Sequence, residues 1–379
     1  MIRTVTTTAL ASTLLFAAPG LAEPGDSVAE VVCFQADFGG ETVAEGLEFP
    51  WSVAFLPDGR YLVSERPGRL RVVSPDGALS EPLAHGQTVA EGGQAGMFGV
   101  TIDPAFEQNG RIYFSYAATD GELMWNEIAR GVLEGGSLSD VEVIWAADSR
   151  TPAPLHFGGR LVWRQDGTLH ATLGERFMNM EDAQSPQNHF GTVVRINADG
   201  SAPGDNPFSG AAEGLDDVWS FGHRNQQGAF VHPETGELWT SEHGARGGDE
   251  INVVHGGSNQ GWPTITYGIN YNGERISELQ EAEGMTDPVW YWQPSIATSG
   301  LTYYDSDVFP QWTGDVFAGG LAGMLLQRLE INGERVVGSE ALLTDFGERI
   351  RDVQTGPDGF LYLLTDNPEG RLLRIRPAS

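Results

Sequence analysis

A hairpin unit that recurs six times constrains this 379-residue chain more than any other feature. Each unit is an apolar strand, a turn around Asp-Gly or Pro-x-x-Gly, and a second alternating strand. The clear copies are WSVAFLPDGRYLVSE (51–65), LVWRQDGTLHATLGE (161–175), AFVHPETGELWTSEH (229–243) and VQTGPDGFLYLLTD (353–366). Looser copies are VTIDPAFEQNGRIYFSY (100–116) and LTYYDSDVFPQWTGDVFAGG (301–320). Asp-Gly between alternating runs favours a hairpin because its residues tolerate the positive φ that a short loop between right-twisted strands needs. Several copies run on into a third strand, as in GRLRVV (68–73), GTVVRI (191–196), EINVV (250–254) and GRLLRI (370–375). The 300 residues from Asp58 to Asp358 divide into five intervals of 60. Six such units predict an all-β, six-bladed β-propeller with some long inter-strand loops. A two-sheet sandwich would leave the recurrence without a cause. Only the stretch near 275–284 shows short amphipathic helical character.

The first 22 residues read as a secretory signal, leaving 23–379 as one propeller domain. Arg3 gives the positive start, ALASTLLFAA (9–18) the apolar centre, and Gly20-Leu21-Ala22 the small residues of a cleavage site. That apolar run is too short to span a bilayer, so no membrane insertion is expected. The single Cys33 excludes an internal disulfide and any multi-cysteine metal site. Acidic residues number 52 against 22 basic, and every basic residue is arginine. A net charge of −30 argues against nucleic acid or anionic membranes as partners. Without lysine there is no Schiff-base chemistry and no Walker A loop.

A propeller gathers loops from distant repeats around one axis, so chemistry is sought in the loops. LHFGGRL (155–161) puts His156, a base competent near neutral pH, before two glycines. GHRNQQG (222–228) groups Arg224, Asn225 and Gln226. EHGARGGDEIN (242–252) mixes Glu242, Asp249 and Glu250 with small residues whose carbonyls suit calcium, or forms an ordinary acidic turn. In GERIRDV (347–353), Arg349 and Arg351 share one face of a strand. Two same-sided guanidiniums repel unless they meet an anion, which is either a ligand or a local acid such as Asp345, Glu348 or Asp352.

Taken in order, HFGGRL, GHRNQQG, EHGARGGDE, NQGWP, YGINYNG and ERIRDVQTGPDG resemble the soluble aldose dehydrogenases that depend on pyrroloquinoline quinone (PQQ), the glucose/sorbosone dehydrogenase family. The resemblance spans about Gly46 to Arg376. It implies a propeller carrying PQQ and Ca2+ that oxidises aldoses at C1 to the lactone. His156 would then be the general base and Arg224 would stabilise developing charge. Gln94, Arg224, Asn225, Tyr271, Leu321, Arg349, Ile350 and Arg351 would hold the cofactor. Carbonyls of Gly244 and Ala245 would bind one calcium, and Glu250 with the Gln260 carbonyl a second. Three departures stand out. A lysine usual in the fifth blade is absent, with Ala322 in GGLAGM (319–324) as its match; Ala245 replaces a proline; and ATSG (297–300) replaces A-P-S-G.

The resemblance also implies an aldose substrate and an external acceptor (a quinone or small redox protein); the export signal implies a periplasmic or secreted location, and a monomer is the default. Two other readings are a calcium-dependent sugar lactonase on a similar propeller and a non-enzymatic sugar-binding propeller. The first needs carboxylates converging on one metal, and the retained His156 argues against the second. Trp51, Trp262, Trp290 and Trp292 could stack on sugars, although aromatic-rich cores predict packing for at least two. His189, His223 and His243 are candidates for lining the pocket, with no catalytic role.

Overall fold

A computed structural model describes residues 28–31 and 37–378, so the segment read as an export signal lies outside the described residues. Each predicted hairpin forms, within a few residues of its expected bounds. Six antiparallel sheets result. Blade 1 is Pro50–Phe55, Tyr61–Glu65 and Arg69–Val73. Blade 2 is Met97–Ile102, Arg111–Thr119, Met124–Glu134 and Ser137–Ala146. Blade 3 is Gly158–Trp163, Leu169–Leu173, Thr192–Ile196 and Val218–Ser220. Blade 4 is Gln226–Val231, Leu238–Glu242, Asp249–Val254 and Trp290–Trp292. Blade 5 is Thr298–Tyr303, Val316–Gly320, Leu325–Asn332 and Arg335–Leu342. Blade 6 is Ile350–Thr355, Leu361–Thr365 and Gly370–Pro377, extended by Phe38–Leu47 and Val28–Val31 from the other end of the chain.

That extension closes the ring. Phe38–Leu47 pairs antiparallel with Gly370–Pro377, in the register Gly40↔Ile375. The innermost strand of every blade lies against that of the next, and blade 6 against blade 1. Close approach of these strands depends on glycine: a Cβ on Gly99 would stand 2.6 Å from the Gly159 carbonyl, and one on Gly228 2.4 Å from that of Ser299. Hydroxyls on second strands lock neighbours together. Ser64 donates to the Phe98 carbonyl and Ser115 to that of Gly159, each at 2.5 Å. Thr172 donates to Gln226 at 3.3 Å, and Ser241 to Ser299. Blade 5 has Gly319 at this place, and Ser299 bonds the Ile350 carbonyl instead.

The apolar core lies between blades, where alternating strand faces meet. Leu62, Leu70 and Val72 of blade 1 pack on Val100, Ile112 and Phe114 of blade 2. Phe317 and Leu326 of blade 5 pack on Leu361 and Leu373 of blade 6, around Trp312. Each such side chain contributes about 1.5–3 kcal/mol of transfer free energy. Trp51 and Trp292 are buried in clusters of this kind, and Trp262 is buried against Ala183 and Ala245 in the loops. The stretch near 275–284 is not helical. It folds into bridged turns, with Ile265 opposite Leu279 and Ile269 opposite Arg275. Its polar residues bond locally instead, Arg275 to Glu278 and Ser277 to the Thr264 carbonyl.

His189 is also removed from the pocket expected for it. It stands beside Trp145, with Nδ1 2.8 Å from Asp148 and Nε2 3.1 Å from Asp217. Burial lowers its pKa, but the two carboxylates outweigh that and raise it to about 9. A raised pKa means that the stabilisation is fully present below the unfolded value near 6.5 and is lost as pH climbs through about 9. His189→Gln is expected to cost about 2 kcal/mol at pH 6. In urea unfolding the gap to wild type should shrink by pH 9.5. A gap unchanged between the two pH values would rule out a charged His189.

Candidate active site

Inner strands all start at the same end of the propeller and run toward the Asp-Gly turns at the other. Residues just before an inner strand, or just after a second strand, therefore meet around one mouth. His156 precedes Gly158–Trp163, Arg224 precedes Gln226–Val231, and Arg349 precedes Ile350–Thr355. A cleft of about 590 Å³ at the far end, lined by Asp305, Asp307 and Asp358, is remote from all of them.

His156 is 4 % exposed and adopts φ +50°. Its backbone N–H donates to Gln94 Oε1 at 2.8 Å. Its Nδ1 lies 2.8 Å from Glu175 Oε1, while Nε2 has no hydrogen-bond partner among the described residues. Burial holds the imidazole pKa well below its ordinary value, with Arg224 and Arg176 adding to the effect. Burial likewise raises Glu175 to about 7. An ionised Glu175 accepts Nδ1–H and leaves the Nε2 lone pair free, which is the tautomer a base needs. The loop is held by Arg176, which is fully buried. It donates to the carbonyls of Leu155 at 3.1 Å, Met124 at 3.0 Å and Ala153 at 2.5 Å, and lies over the Phe157 ring.

Arg224 Nη1 donates to the carbonyls of His243, at 2.9 Å, and Gly244. Glu242 fixes the same segment by accepting from the Arg224 backbone N–H and facing His223 Nδ1 at 3.0 Å. His223 is fully buried and also bonds Ser220, so its role is internal. Asn225 Oδ1 accepts from the Gly158 N–H and from Gln227 Nε2, and Gln227 Oε1 accepts from Arg351 Nη1 at 3.1 Å. One polar chain thus links blades 3, 4 and 6. Arg349 Nη2 is 2.8 Å and Arg351 Nη2 3.4 Å from Asp366, rather than pairing with Asp345, Glu348 or Asp352. Burial pushes the Asp366 carboxyl up, but Arg351, Arg349 and Arg66 together hold it below the usual range.

The site leaves hydrogen-bonding capacity unused. Arg224 Nε, Asn225 Nδ2 and Arg351 Nε are buried donors without partners, and Glu175 Oε2 is a buried acceptor without one. Buried groups of this kind cost free energy unless a ligand or water completes them. Surplus guanidiniums and an amide suit a flat polyanion such as PQQ. The carbonyls of His243 and Gly244 are engaged by Arg224 Nη1, so a calcium ion at Gly244 would share that carbonyl with the guanidinium. Glu250 has its carboxyl pushed well up by burial, with Glu242 and Asp249 reinforcing the shift, so a nearby cation would be favoured. Its bonding partner is Asn252 at 3.4 Å. Among the described residues no group of three or more His, Cys, Asp or Glu side chains could hold a metal.

The structure brings Gln94, His156, Arg224, Asn225, Arg349 and Arg351 to the mouth. Leu321 is 2 % exposed, with its N–H bonded to Ala297. Ile350 is fully buried in the core between blades 5 and 6. Tyr271 is 63 % exposed on the long blade 4 loop. Ala245 is buried against Trp262, and Gln260 N–H bonds the Phe221 carbonyl. Glu175, Arg176 and Asp366 were not singled out from the sequence. Glu175 and Asp366 end quoted repeats (161–175 and 353–366), which was the available signal.

A six-bladed propeller with a buried histidine–glutamate pair facing an arginine cluster defines the class of protein: a sugar-dehydrogenase-type β-propeller. The chain belongs to the glucose/sorbosone dehydrogenase family, whose sequence pattern matches residues 47–374. It is 39 % identical over 343 residues to an aldose sugar dehydrogenase of Escherichia coli, covering 89 % of this chain and 92 % of that one. The apo crystal structure of the soluble E. coli aldose sugar dehydrogenase superposes with a TM-score of 0.87 at 38 % identity, covering 90 % of this chain and all of the other. A PQQ-bound aldose sugar dehydrogenase from Streptomyces coelicolor gives a TM-score of 0.75 at 27 % identity, over 94 % and 99 % of the two chains.

Proposed function

We propose that this protein is a PQQ- and calcium-dependent aldose dehydrogenase, exported to the periplasm or beyond, that oxidises sugars at C1 to the lactone. The observation that carries this reading is His156, held by Glu175 with Nε2 free, beside a buried cluster of unsatisfied cationic donors. Gln94, Arg224, Asn225, Arg349 and Arg351 would hold the cofactor. Bound there, PQQ would supply the two-electron acceptor for the hydride leaving C1. His156 Nε2 takes the C1 hydroxyl proton, and Glu175 stabilises the imidazolium that forms. Arg224 offers its Nε to negative charge developing nearby. Carbonyls of Gly244 and Ala245 are the candidate calcium ligands at the site, with Glu250 and Gln260 at a second position. An external quinone or small redox protein would reoxidise the enzyme, which acts as a monomer.

Reconstitution tests this. Mature protein with PQQ and Ca2+ should reduce a dye with glucose, xylose or arabinose, and omission of either should abolish turnover. Arg351→Gln should weaken PQQ binding by tenfold or more, since a charge-assisted contact is worth about 1.5–3 kcal/mol. Lactone hydrolysis without PQQ, together with no dye reduction, would instead establish the lactonase reading.

A further inference from the structure

Blade 1 contributes none of the cofactor, metal or catalytic residues expected from the sequence, yet the fold carries it to the same mouth. Ser64 and Ser241 make equivalent bonds to the next blade's inner strand. Two residues beyond Ser241 stands His243, whose carbonyl accepts from Arg224. Two residues beyond Ser64 stands Arg66. The matching place in blade 6, two beyond Leu364, is Asp366, and in blade 5, two beyond Gly319, it is Leu321. Repeat geometry therefore sets Arg66 on the ring of residues facing the pocket, between Gln94 on one side and Arg349 and Arg351 on the other.

The local surroundings agree. The Arg66 guanidinium sits over the Phe49 ring, 4.5 Å from its centroid. Its carbonyl accepts from Met97 N–H, and a Cβ on Gly96 would come within 2.5 Å of its Cγ, so glycine there makes room for the stem. Arg66 has no hydrogen-bonded or ion-paired side-chain partner among the described residues, in a protein with 52 acidic residues. Its charge is felt at both Arg351 and Asp366. Arg349 and Arg351 thus share the Asp366 carboxylate while Arg66 stays unpaired, so positive charge exceeds negative beside the donors already unsatisfied. The GGLAGM turn, by contrast, offers no cation: its Ala322 is exposed and its N–H is tied to the Ile296 carbonyl.

We propose that Arg66 is a further cofactor-binding residue, supplying with Arg349 and Arg351 the third cation for a multiply carboxylated ligand. The inference rests on the PQQ reading above. A cation at this place offsets the lysine missing from blade 5.

The test is PQQ binding to the full-length mature apoprotein, followed by quenching of tryptophan fluorescence at 20 and 200 mM NaCl. Arg66→Gln is expected to weaken binding by about tenfold or more at low salt, and by less at high salt, where charge is screened. Arg66→Lys should recover most of the affinity. A second measurement needs no variant. Phenylglyoxal labelling of the wild-type chain, read by peptide mass spectrometry, should be slowed at Arg66 by PQQ. Wild-type protein that binds PQQ while Arg66→Gln binds equally well, or while Arg66 labels at an unchanged rate, overturns this inference alone. Wild-type protein that fails to bind PQQ overturns the function on which it rests.

Discussion

His156→Asn is expected to lower kcat by 10²- to 10⁴-fold, the range for loss of a positioned general base, while PQQ still binds. The His156 imidazole combines a free lone pair on Nε2 with a tautomer set by Glu175. Asparagine keeps a polar side chain of similar size but cannot take the proton. Its partner sets the pH dependence. Burial raises Glu175 to about 7, and its ionised form both accepts Nδ1–H and stabilises the imidazolium that forms when Nε2 takes the proton. Activity should therefore be low on the acid side, rise as pH passes through about 7, and level off above. In Glu175→Gln the amide oxygen still accepts Nδ1–H, so that transition should flatten while a lower plateau remains. Steady-state kcat/KM between pH 5.5 and 9 measures both. A Glu175→Gln profile with the wild-type transition would show that Glu175 is not the titrating group.

The fold was legible because its information is local. Each Asp-Gly turn and its flanking alternation, as in 51–65, specify a hairpin without reference to the rest of the chain. Closure was not legible. Phe38–Leu47 lies before the first repeat, and its register with Gly370–Pro377 is set only when the two segments meet across the ring. The site divides the same way. His156, Arg224, Arg349 and Arg351 stand in recognisable loops, but Glu175 is defined by its distance to His156, 19 residues back. Arg66 could have been found by aligning the repeats, since Ser64-Glu65-Arg66 and Ser241-Glu242-His243 occupy the same place. The 275–284 stretch has helix-like spacing but is held in bridged turns, with Ile276 packed on the Ala183, Ala245 and Trp262 cluster.

The largest effect on stability is expected at Asp352, which no local pattern marks as central. Arg160, from the inner strand of blade 3, reaches across the axis to blade 6, with Nη2 3.0 Å from Asp352 Oδ1 and Nη1 3.2 Å from Oδ2. Its Nη1 also bonds Ser52 of blade 1 at 3.0 Å, its Nε bonds the Gln227 carbonyl of blade 4 at 3.1 Å, and it lies over the Trp51 ring. Val53 N–H donates to Asp352 Oδ2 at 3.2 Å. One ion pair, 3 % and 0 % exposed, therefore ties four blades together beneath the site. Asp352→Ala would leave a buried guanidinium uncompensated, and such a loss costs about 3–5 kcal/mol. Arg160→Met with Asp352→Leu removes both charges and should cost much less than the two single changes added together. Urea unfolding measures all three. A single-variant cost below about 1 kcal/mol would mean that water reaches the axis and screens the pair. The stability loss should carry over to the chemistry, because Gln227 bonds Arg160 through its carbonyl and Arg351 through its side chain. Asp352→Ala is therefore expected to weaken PQQ binding without touching the cofactor, whereas the double variant should restore both the fold and most of the affinity.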